Sequence, residues 1–166
     1  MIHLSRTLPV NPPGAGVRLT ASDVWRGLVM KADNALPFVP AIQHCEVLER
    51  VSRTVFVREI EFRGERMRER VVLEPERQVT FERLSGSVTG TITNTIVDEG
   101  GELGLRFSFD LALAAAAGDS GAEEAYARDM EGAYLGAVDA TLGAIRKLVT
   151  EGRGAKAQPP APRERG

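Results

Sequence analysis

Cysteine occurs once, at Cys45, in a chain of 166 residues, so an internal disulfide is excluded. Histidine occurs twice, at His3 and His44. With one thiol beside them no metal constellation forms, and no metal is expected. Long apolar runs are missing; no segment offers the roughly 20 residues that a membrane-spanning helix needs. The start of the chain lacks a basic segment followed by an apolar one, so a secretory leader is not expected. A charge excess is missing too: 21 Lys and Arg face 23 Asp and Glu, a formal net charge of −2. Residues 151–166 hold four basic and two acidic side chains, which leaves about −4 for residues 1–150. That balance offers no surface to nucleic acid or to an anionic membrane. The expectation is a cytoplasmic protein with neither partner and no membrane insertion.

What is present reads as one domain with a real core. Hydrophobic residues make up 43% of the chain and charged residues 27%. Residues 2–10 alternate apolar and polar apart from the last two, a first strand ended by Asn11-Pro12-Pro13-Gly14. Thr20 to Asp23 resembles a helix start, with Thr20 as the cap. Val24, Trp25, Leu28 and Val29 follow at helical spacing; Gly27 weakens that helix unless something packs closely on it. Pro37-Phe38-Val39-Pro40 predicts a short helix or turn.

From Gln43 the pattern is strand after strand, near 43–52, 54–62, 66–74, 77–84, 89–98 and 102–113. A tight turn at Arg63-Gly64 sets Ile60 against Met67, Phe56 against Val71 and Arg58 against Glu69. A one-residue slip would put Phe62 and Ile60 opposite arginines, so the apolar pattern selects this register. In the last hairpin a four-residue loop, Asp98 to Gly101, sets Ile96 against Leu103 and Asn94 against Leu105. Residues 122–150 form the longest helical pattern, with Met130, Tyr134, Val138, Thr141, Leu142, Ile145 and Val149 in one stripe. Arg146 and Lys147 lie near its C-terminal end, where the helix dipole favours them. Residues 151–166, rich in Gly, Pro and charge, read as a disordered tail to a domain of residues 1–150. An antiparallel sheet with one apolar face needs a cover, and the long helix carries a matching stripe.

Val24–Glu82 contains WRGLVMKA, PFVPAI, CEVLER, VREIEFRG and RERVVLEP; TNTI (Thr93–Ile96) and LGLRFSF (Leu103–Phe109) follow. In order and spacing these segments resemble the acetylaranotin-biosynthesis-protein-L-like family of the Bet v 1-like (START-like, SRPBCC) superfamily, over most of residues 2–150. The resemblance implies an α+β helix-grip fold. A curved antiparallel sheet of about seven strands would wrap a long C-terminal helix, with short helices after strand 1. It also implies a cavity between sheet and helix, where superfamily members bind sterols, lipids, polyketides or plant hormones, and where some act as cyclases or aromatases. It supplies no catalytic motif to transfer.

Arg58 and Glu69 interrupt an otherwise apolar sheet face. An ion pair is expensive to bury dry, which points to a polar or wet interior. One reading has the pair orienting a ligand, with Glu69 as acid or base. The other makes it a cross-strand pair that only fixes register. Asn94, between Ile92 and Ile96, either hydrogen-bonds a ligand or the Arg58–Glu69 pair, or is an edge or bulge residue bonded to backbone. Arg83 shares parity with Val79 and Phe81 and either reaches Glu69 or is solvated; its place near a strand end favours solvent. Tyr134 either turns its hydroxyl into the cavity or is a core tyrosine with a backbone partner. Trp25 either stacks on a ligand at a cavity mouth or packs against Pro37 or Phe38. Phe56, Ile60, Phe81, Phe107 and Phe109 are expected as apolar walls. His44 and Cys45 are sequence neighbours on a strand and face opposite ways, so they make no nucleophile pair.

Two functions follow: binding of a hydrophobic small molecule, or a cofactor-independent cyclase, aromatase or lyase acting through Glu69, Arg58 and Tyr134. A cavity too small for any ligand in the structure would sink the first. The tail alone motivates a weaker reading as a protein-partner module. No cofactor is expected, and a homodimer stays open.

Overall fold

The computed structural model describes residues 2–113 and 120–157. Seven strands and two helices follow one another. They are β1 (Ile2–Pro9), α1 (Ala21–Asp33), β2 (Ile42–Arg50), β3 (Val55–Phe62), β4 (Glu65–Glu74), β5 (Gln78–Arg83), β6 (Val88–Glu99), β7 (Glu102–Leu113) and α2 (Ser120–Ala157). The strands form one antiparallel sheet in the order β1-β7-β6-β5-β4-β3-β2. Hairpins join β2 to β7 in sequence, and β1 closes onto β7. The sheet is curved, and the long C-terminal helix covers its apolar face: Met130, Val138, Leu142 and Ile145 of α2 are buried in one core with Phe56, Phe81, Phe107 and Leu111.

Local chemistry sets the elements. The Thr20 side chain accepts from the Asp23 N–H, and the Asp23 carboxylate accepts from the Thr20 N–H. This reciprocal box satisfies two of the orphan donors at the start of α1. Gly27 lets α2 approach: a Cβ there would lie 2.2 Å from Ile145 Cγ1. The Pro37–Pro40 segment makes turns rather than a helix, with the Phe38 and Val39 N–H groups donating to the Ala35 carbonyl.

The β3–β4 register is the expected one, with Arg58 opposite Glu69. The β6–β7 register differs from expectation by two residues: Ile96 faces Leu105 and Asn94 faces Phe107. The strands run on to Glu99 and Glu102, so the loop has two residues, not four. Gly100 and Gly101, at φ 64 and 89, adopt the doubly left-handed turn whose twist matches that of a hairpin. The long helix also outruns its expected end. It continues to Ala157, seven residues into the expected tail. The first strong stop is Pro159, which disfavours helix at the residue before it. Arg146 is therefore not at a helix end, and its Nη2 donates to the Val10 carbonyl instead. The rest of the expected tail, residues 158–166, lies outside the described residues.

Candidate functional site

Three strands place a row of alternating charge on the inner face of the sheet. Arg58 on β3 faces Glu69 on β4, and Glu69 faces Arg83 on β5. All three are buried, at 3%, 2% and 5% exposure. Arg58 Nε and Nη2 reach Glu69 Oε1 at 3.0 and 2.9 Å. Arg83 Nε reaches Oε2 at 3.4 Å. Both carboxylate oxygens thus accept from guanidinium N–H groups, a geometry suited to arginine's planar fork.

The same row ties down α1. Arg58 Nη1 donates to the Lys31 and Ala32 carbonyls at 3.1 and 2.9 Å, which are otherwise orphans of the last helical turn. It also lies 3.8 Å from Cys45 Sγ. Arg58 is therefore part clamp for the helix, part partner for Glu69. Its positive charge at the helix C-terminus is favourable.

Lys31 completes the group. Val24, Leu28 and Lys31 repeat at helical spacing, so the side chain points inward with the core stripe and is 8% exposed. Its Nζ donates to Asn94 Oδ1 on β6 at 2.5 Å and sits 5.5 Å from the Phe81 ring centroid; Arg58 lies over the same ring at 4.7 Å. Burial and then Arg58 lower the amine from 10.5 to about 7, against the pull of Glu69. From α2, the Tyr134 hydroxyl accepts from Arg83 Nη2 at 3.1 Å. Burial pushes that phenol up to about 12, against Arg83. For Arg83 burial works downward, but Tyr134 and Glu69 carry it upward overall.

These groups line a cavity of about 50 Å³ between sheet and helix, with Ile60, Phe62, Phe81, Phe107 and Val138 as apolar walls. That volume holds a few water molecules. It falls well short of the roughly 300–1,000 Å³ of most small-molecule pockets. The Tyr134 ring fills the neighbouring space, with centroids 6.4, 6.0 and 5.3 Å from those of Phe62, Phe107 and Phe109. Two larger hollows, about 290 Å³ between α1 and α2 and about 330 Å³ beside residues 11–18, contain none of the buried ionic row.

The structure thus brings together Arg58, Glu69, Asn94, Ile60, Phe81, Phe107 and Tyr134. Three expected site residues stand off the cavity wall. Trp25 is half-buried on α1, one residue round the helix from the Val24 line. Phe56 is buried under the Arg50 guanidinium, 4.9 Å away. Phe109 backs Phe107 and Tyr134. Arg83 is buried, not solvated: the carboxylate opposite and the Tyr134 hydroxyl compensate its desolvation. Lys31 was not foreseen, although its spacing from Val24 and Leu28 carried the signal. On the other face of the sheet His44, Glu46 and Glu59 converge within 4.8 Å, a group hidden from a count of His and Cys alone. Glu59 Oε1 there already accepts from Arg66, at 3.2 Å.

No curated protein matches the chain. Among solved structures, the Zhui aromatase/cyclase from Streptomyces sp. R1128 superposes with a TM-score of 0.66 at 20% identity, covering 89% of this chain and 95% of that one. One domain's worth of the di-domain ARO/CYC StfQ, from the steffimycin biosynthetic pathway, gives 0.69 at 13%, covering 89% and 52%. Ara h 8.0201 gives 0.60 at 13%, covering 88% and 98%. These likenesses establish a Bet v 1-like fold. The family model described as AtaL, acetylaranotin biosynthesis cluster protein L, matches residues 4–152, and the chain belongs to that family.

Proposed function

We propose that the protein binds a flat, largely apolar small molecule, aromatic or polyketide-like, between the sheet and α2, in the place that the Tyr134 ring fills in this structure. The observation that carries this reading is the enclosure of that ring by Phe62, Phe107 and Phe109 beside the cavity. Space that holds one ring in offset contact suits another. Rotation of Tyr134 would join the existing 50 Å³ to the volume of a phenol. It would also free Arg83 Nη2 to donate to a ligand oxygen. Binding is then coupled to a side-chain opening, a shift toward a minor conformer. The aromatase/cyclase descriptions of two structural neighbours support the same class of molecule.

The cyclase reading through Glu69, Arg58 and Tyr134 finds less support. Glu69 is held by two arginines, and Arg58 is tied to the end of α1. Both therefore act as framework.

Titration with 2-naphthol, followed by amide and aromatic NMR, tests the binding reading. Saturable shifts are expected at Ile60, Phe81, Phe107 and Tyr134, with a rise in Tm that grows with ligand concentration. Shifts that never saturate, or that map to the α1–α2 hollow, would contradict it.

A further inference from the structure

Lysine is scarce in this chain. Of 21 basic residues only Lys31, Lys147 and Lys156 are lysines; the other 18 are arginines. Arginine keeps its charge under all ordinary conditions. Arg58 and Arg83 hold the buried row with fixed charge. Lys31 is the one buried base among the described residues that can lose its proton.

Its surroundings favour that loss. Its hydrogen-bond partner, Asn94 Oδ1, is a neutral amide, which brings no counter-charge to an ammonium and can also accept from a neutral amine. The only carboxylate on the cavity wall among the described residues, Glu69, already accepts from two guanidinium groups. Arg58 shares the Phe81 ring with the amine and repels its charged form. A neutral amine with one N–H on Asn94 has its lone pair free to meet a molecule in the cavity.

We infer that Lys31 is a nucleophile toward carbonyl compounds, and that the molecules taken up by this cavity include ketones or aldehydes, which it holds as an imine. This inference rests on the small-molecule reading above and narrows its ligand class. The Nζ lone pair attacks the carbonyl carbon and the π pair moves to oxygen. A proton passes from nitrogen to that oxygen, giving a carbinolamine. Loss of the hydroxyl with a second proton, as water, leaves the C=N bond. Amine and carbonyl become imine and water, with no oxidant or reductant required. A desolvated lysine beside another cation is the arrangement that activates an amine for this chemistry. The charged and titratable groups that share its cavity are Arg58 from β3, Glu69 from β4, Arg83 from β5 and Tyr134 from α2, with Asn94 from β6 as its neutral partner. Cys45 of β2 stands behind Arg58.

The test uses the full chain with 2-naphthaldehyde and cyanoborohydride at pH 7, followed by peptide mapping. Reductive trapping converts the imine to a stable secondary amine. Lys31 is expected to carry the naphthylmethyl group at least about tenfold over exposed Lys147. A K147R/K156R double substitution should leave the labelling unchanged, and Lys31→Arg should abolish it. The wild-type map needs no folded variant. Equal labelling of the three lysines would overturn the inference. So would an unlabelled Lys31 in a protein that binds 2-naphthol, with the small-molecule reading left standing. If 2-naphthol does not bind either, both fail.

Discussion

The amine of Lys31 is stable in the fold only at a cost that depends on pH. In the folded chain it titrates at about 7 and in the unfolded chain near 10.5. Below about 7 both states are charged, and the full penalty of burying an ammonium is present. Between 7 and 10.5 the unfolded chain binds the extra proton, so stability rises with pH. Above 10.5 both are neutral and the penalty is gone. Relative to Lys31→Met, the wild-type protein should therefore gain about 1.4 kcal/mol of unfolding free energy per pH unit above 7. Urea unfolding of the two proteins between pH 6 and 9 measures this difference. Parallel stability curves would show that the amine is not desolvated in the folded state. Arg58 and Glu69 answer the question their pairing raises in a different way: each sees the other, but Arg58 also sees the end of α1 and Glu69 also sees Arg83.

The helices and strands were legible to different depths. Alternation in β3 and β4 gave their register outright, because a slip would have turned arginines into the core. The β6–β7 hairpin departs from the alternation-based register by two residues. Both registers keep Ile92, Asn94 and Ile96 on one face, so the apolar pattern does not choose between them. The choice lies in the turn geometry of Gly100 and Gly101. Arg83 and Lys31 were harder. A charged residue inside an amphipathic element reads as solvated until its partners, which come from other strands and from α2, are in place. Gly27 was the clearest local clue, an otherwise poor helix residue at the point where α1 meets Ile145. Gly27→Ala should destabilise the protein by about 1–3 kcal/mol through overpacking, despite a helix-propensity gain of about 1 kcal/mol. In an Ile145→Ala background the same substitution should become neutral or stabilising. Thermal or urea unfolding of the four proteins of this double-mutant cycle reads the coupling; additive effects would contradict the close approach of the two helices.

At the scale of the whole molecule, a curved seven-stranded sheet and a 38-residue helix enclose an apolar interior with one polar row across it. The ionic row fixes the sheet to α1, and Tyr134 closes the remaining space from α2. Fold and family were legible from the order of the strands and from short matching segments. The size of the cavity was not, since it depends on where one phenol ring rests among three phenylalanines. The proposed function requires a flat ligand in that place. A crystal structure of the protein grown with 2-naphthol tests it most directly. The predicted result is a naphthol ring between Phe62, Phe107 and Phe109, with the Tyr134 side chain rotated away and Arg83 on the ligand hydroxyl. A Tyr134 ring still seated among those three residues, with naphthol bound in the α1–α2 hollow or nowhere, would contradict it.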